Sequence, residues 1–140
     1  MKPLTTILSA IVLGFSLTSC TMLHEKYAEN EKNSVAYLAG KKTGPAKTNI
    51  EGLWFSPEWG TIVLNQEPNG RLTGLFQDYY VVEGVVVGKR AYLTLTDDDW
   101  REYTVELTAK GREKLAGFYS AHIPFSESDQ EEVVLTRIGD

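Results

Sequence analysis

Ile50-Glu51-Gly52-Leu53-Trp54-Phe55-Ser56-Pro57-Glu58-Trp59-Gly60 is the stretch on which the fold turns. Its kernel is an apolar residue, a spacer, a glycine, a spacer and a large apolar residue: Ile50, Gly52 and Trp54. The kernel returns as Leu72, Gly74 and Phe76, as Val82, Gly84 and Val86, and as Leu115, Gly117 and Tyr119. Residues two apart share one face of a β-strand, so each kernel is a strand face with a glycine at its centre. A glycine inside a strand packs nothing and marks a bend or a close backbone approach. Four such strands specify a strongly curved sheet, which closes as a barrel.

Outward from this stretch, turn signals recur about every ten to twelve residues as far as Asp140. The spacing predicts strands over 50–56, 60–67, 71–77, 80–87, 90–96, 101–108, 114–120 and 131–138. The fold class is all-β, an up-and-down antiparallel β-barrel of about eight short strands, in which the first strand pairs with the eighth and leaves no edge. Asn69-Gly70 and Lys110-Gly111 supply the residues that tight hairpins require. The inward face is expected to carry Trp54, Ile62, Leu64, Phe76, Leu93, Leu95, Tyr103, Val105, Tyr119, Val133 and Leu135. In 60–67 and 80–87 both faces are apolar, so alternation does not orient them.

Gly52-x-Trp54 on the first strand, with Arg137 on the last, resembles the signature of the calycin superfamily, which includes lipocalins, fatty-acid-binding proteins and avidins. The resemblance implies that Trp54 and Arg137 close one end of the barrel, the tryptophan packing beneath the basic side chain. The first two hairpins are also similar to those of avidins. However, Pro57 and Glu58 lengthen the first turn, and Phe76 stands where a biotin-contacting tyrosine would be, so biotin binding does not carry over.

The first twenty residues are unlike the rest. Lys2 is followed by the uncharged apolar run Leu4–Leu17, too short for a comfortable bilayer span and suited to an export signal. Leu17-Thr18-Ser19-Cys20 then resembles the lipobox of bacterial lipoproteins, which implies cleavage before Cys20 and its acylation. The expected organisation is a signal peptide at 1–19, a lipidated cysteine and flexible tether at 20–49, with a loose helical turn near 24–38, and the barrel at 50–140. Cys20 is the only cysteine, so no internal disulfide forms. Thr21 at the sorting position implies the outer membrane in a diderm envelope. The membrane is thus the first expected partner, through the acyl anchor.

The net charge of −5 excludes a general nucleic-acid role. Successive connections of a meander alternate between the two ends of the barrel. One end collects Trp59, Tyr79, Tyr80, Trp100, His122 and Phe125, while the other holds Pro68-Asn69-Gly70, Gly88-Lys89 and Ala109–Glu113. Large amphipathic rings at one rim suit a partner or ligand contact, and equally a plug over a small core. Trp59, Tyr79, Tyr80, Trp100 and Phe125 are therefore the candidate contact residues. Because the first strand starts at the polar end, the aromatic end is expected to face away from the anchoring membrane. Asp97-Asp98-Asp99 lacks the glycine and distal glutamate of a calcium loop, and His24 and His122 stand apart, so neither a metal nor a cofactor is expected. No nucleophile elbow, phosphate loop or His–carboxylate pair marks an enzyme. The expected function is a non-enzymatic envelope lipoprotein that contacts another envelope component through its aromatic end. The alternatives are a carrier of a small apolar ligand and an inhibitor of a peptidase or cell-wall hydrolase.

Overall fold

The computed structural model describes residues 25, 28–77, 79–97 and 101–140, and of 79–82 and 97 only the backbone. Eight strands among these residues form one closed antiparallel barrel in chain order. They are β1 (Gly52–Ser56), β2 (Gly60–Gln66), β3 (Arg71–Phe76), β4 (Tyr79–Val87), β5 (Arg90–Asp97), β6 (Glu102–Ala109), β7 (Lys114–Ser120) and β8 (Gln130–Gly139). The expected strands are all present, with ends shifted by a residue or two. β1 starts two residues late because the Ile50 amide donates to the Gln66 side chain, 2.8 Å away, and not to a neighbouring strand.

The kernel glycines explain how so narrow a barrel is filled. Gly52 and Gly74 both sit opposite Leu64, Gly84 lies between Leu72 and Leu93, and Gly117 lies between Leu107 and Val133. Each large side chain crosses the interior over a neighbour that has none, the small–large alternation that small barrels require. A Cβ at Gly74 would overlap the Val63 carbonyl, and one at Gly117 the Glu106 carbonyl. The buried interior cluster includes Ile62, Leu64, Leu93, Leu95, Val105, Val133 and Leu135 as expected, and it resolves the ambiguous strands. Ile62 and Leu64 of β2 and Val86 of β4 point inward, whereas Val85 points outward into a second cluster.

That second cluster corrects the expected tether over its described part, residues 28–49. Residues 28–41 form a helix, α1, whose buried residues are Asn30, Ser34, Tyr37 and Leu38. Tyr37 and Leu38 pack outside the barrel with Val85 and Tyr92, joined by Ile123 and Phe125 from the connection between β7 and β8. At the end of α1, Lys41 reaches Glu106 at 3.5 Å and lies over the rings of Tyr37 and Tyr92. The chain then crosses the polar end, where Ala46 bridges Gly88 and the Lys47 amide donates to the Gly88 carbonyl. A helix of this length spans about 21 Å, nearly the height of the barrel. It packs on the outer wall over β4–β6 through Tyr37, Leu38 and Lys41. Among the described residues nothing packs over the wall formed by β7, β8 and β1–β3, which exposes Phe55, Leu75, Phe118, Val134 and Ile138.

Gly74→Val and Gly117→Val are each expected to cost about 3 kcal/mol and lower the melting temperature by about 10 °C or more. Gly40→Ala, where an added Cβ meets nothing within 4 Å, is expected to hold or raise it slightly. Calorimetry of the three variants checks this, and unchanged melting of both valine variants would remove the close-approach account.

Candidate functional site

The aromatic end is built around Trp59. The first connection turns at Pro57-Glu58, and the Trp59 amide donates to the buried Ser56 hydroxyl at 3.1 Å. This turns the indole down into the barrel, where it is only 7% exposed. It makes edge-to-face contacts with Phe76 at 5.3 Å, Tyr103 at 5.4 Å and Tyr119 at 5.3 Å, within the range in which ring quadrupoles attract. Trp59 is thus a plug within the mouth and not a contact on its rim. The Tyr119 hydroxyl donates to the Glu131 carboxylate, and this hydrogen bond, with burial, raises its pKa to about 12.

The remaining candidates divide. Phe125 turns away from the mouth and packs in the α1 cluster, which removes it from the rim. Tyr79 and Tyr80 open β4, opposite Asp97 and Thr96, at the aromatic end. Trp100, Asp98, Asp99, His24 and Cys20 lie outside the described residues. His122 is not isolated: its Nε2 lies 3.1 Å from the Asp129 carboxylate, and its carbonyl accepts from Thr104 at 2.7 Å.

At the opposite end, Trp54 and Arg137 meet as the calycin resemblance implies. They are register partners across the β1–β8 closure, and the guanidinium sits 4.3 Å from the indole ring centroid. Arg137 is held by its Nε donating to the Arg112 carbonyl at 2.9 Å and its Nη1 donating to the Glu51 carbonyl at 2.7 Å. The Trp54 indole N–H donates to the Ile50 carbonyl at 3.0 Å. Gly52 has φ +143°, and a side chain there would collide with the Arg137 guanidinium. The Gly-x-Trp spacing is thus the passage through which the arginine reaches the ring.

Sequence reasoning missed the cleft above this stack. Residues 47–50, Lys89, Ala109, Gly111, Arg112 and Leu115 join Trp54 and Arg137 around a cavity of about 270 Å³. Four of its lining residues are cationic and none is acidic. The missing signal was spatial, because Lys47, Lys89, Arg112 and Arg137 come from four separate parts of the chain. On the barrel wall, Tyr37, Lys41, Tyr92 and Glu106 form a second charged group, in which burial and then the Glu106 carboxylate push the Tyr37 phenol above its ordinary range. That group fastens α1 to the barrel. Comparison with protein-family models, curated proteins and solved structures returns no match for the chain.

Two outcomes follow from this geometry. Arg137→Met is expected to cost about 3 kcal/mol, since it strips two backbone carbonyls of a charged donor and the indole of its cation. In a double-mutant cycle with Trp54→Phe the two losses should be less than additive, and simple additivity in denaturant titrations would show that the stack carries no coupling. Tyr119 is neutral when protonated and holds its proton more tightly folded than unfolded. Its contribution to stability is therefore complete below about pH 10 and is lost as pH rises toward about 12. Ultraviolet titration should show two tyrosines ionising late, Tyr37 and Tyr119, and Glu131→Gln should move only the Tyr119 step back down; no change would exclude the hydrogen bond as the cause.

Proposed function

We propose that this chain is a non-enzymatic lipoprotein of the bacterial cell envelope, anchored through an acylated Cys20, that works by surface contact with another envelope component. The observation that carries the surface reading is the seating of Trp59 against Phe76, Tyr103 and Tyr119, which occupies the mouth with the protein's own side chains. A carrier needs that volume for its ligand. The exposed apolar side chains on the wall opposite α1 support the same reading, since such patches suit protein contacts.

The lipobox resemblance at Leu17–Cys20 supports the anchor and the envelope address, and Thr21 supports the outer membrane in a diderm cell. Residue 28 follows Cys20 by eight residues, a reach of at most about 28 Å. An inhibitor of an envelope hydrolase would be one form of the proposed surface contact.

Cys20→Ala is expected to leave the domain folded and to move it from the membrane fraction to the soluble one; persistence in the membrane would contradict the acyl anchor. Native mass spectrometry of the detergent-extracted full chain is expected to give the acylated protein alone. A stoichiometric apolar adduct would overturn the surface reading in favour of the carrier.

A further inference from the structure

The cleft at the polar end concentrates positive charge in a chain whose net charge is −5. Lys47 is brought there by its backbone bond to Gly88, and Lys89 is the next residue of that hairpin. Among the described residues neither lysine has an ion-pair partner, and the one acid beside Arg112 and Arg137 is the exposed Asp140 at the rim. Arg137 is the fixed element. Its side chain is 8% exposed, clamped by two backbone carbonyls and stacked on Trp54, while its Nη2 has no hydrogen-bond partner among the described residues. A preorganised guanidinium with spare donors is the arrangement that recognises planar or tetrahedral oxyanions.

The chain itself illustrates what the rim attracts. The exposed Asp140 carboxylate lies 3.4 Å from Arg112 Nη2 and 3.9 Å from Arg137 Nη1. It does not line the cavity, whose apolar lining residues include Ile50, Trp54 and Leu115. A cavity of about 270 Å³ is at the small end of ligand sites, large enough for the end group of a longer molecule.

We propose that this cleft binds the anionic end group of an envelope molecule, its carboxylate or phosphate received by Arg112, Arg137, Lys47 and Lys89. This deepens the surface-contact reading by giving its ligand a chemistry. It also assigns the polar end as the working end. Asp140 competes for the same arginines and weakens binding.

The test is a titration of the full chain in detergent at low salt, followed by the amide signals of Gly88 and Gly111 and the Trp54 indole N–H. The probes are N-acetyl-alanine and glycerol 1-phosphate, with N-acetyl-alanine amide as the uncharged control. At least one anion should give saturable shifts that the amide does not, and the stronger of the two identifies a carboxylate or a phosphate end group. Lys47→Gln/Lys89→Gln/Arg112→Gln, all outside the Trp54–Arg137 stack, should weaken it at least tenfold, and Asp140→Asn should strengthen it severalfold. Non-saturable shifts for both anions, or equal affinity in the triple variant, would overturn the cleft as a site. Neither result alters the fractionation of Cys20→Ala or the native mass, so failure of the cleft is distinguishable from failure of the anchored surface-contact reading.

Discussion

The Arg137 guanidinium seated on Trp54 is the contact on which the barrel depends. β1 and β8 lie at opposite ends of the sheet in sequence, and their pairing removes the two exposed edges that an eight-stranded meander would otherwise present. The register there is interrupted between Leu53 and Trp54. A bulge bends the strand and re-aims its side chain. Arg137 spans the interruption, satisfies carbonyls of the segment before β1 and of the β6–β7 turn, and shields the indole from solvent. One cation thus ties together the first strand, the last strand and the turn that separates β6 from β7.

Most of the barrel was legible because its code is local. Period-2 alternation with a central glycine gives strand and inward face together, and every residue expected on that face lies within the interior or packs against it. The glycines were informative because each marks a large neighbour across the strand, as Gly84 does between Leu72 and Leu93. Where both faces were apolar, as at Val85 and Val86, the pattern was silent for a reason now visible: the outer face of β4 is buried too, beneath α1.

The helix was illegible for the converse reason. Its buried stripe, Asn30, Ser34, Tyr37 and Leu38, has helical spacing but polar members, so apolar periodicity does not reveal it. The ends of the barrel were only half legible. Composition placed the aromatic residues at one end, but whether Trp59 points in or out depends on the hydrogen bond of its amide to Ser56 and on the ring partners awaiting it. Phe125 was misplaced because the β7–β8 connection folds back over the wall to meet the unforeseen helix. The basic cleft could not be read at all, since no two of its cations are near in sequence except through the fold.

These features bear on function together. The interior is committed to its own side chains, one wall to α1 and the mouth to Trp59, which leaves the surface for any partner. The central claim is therefore the inward seat of Trp59. It is tested most directly by nuclear Overhauser contacts from the Trp59 indole in the full chain. The account predicts contacts to the rings of Phe76, Tyr103 and Tyr119 and slow exchange of the indole N–H with water. An indole that exchanges rapidly and shows no contact to those rings would mean an open mouth, and would return the barrel to the reading of a carrier.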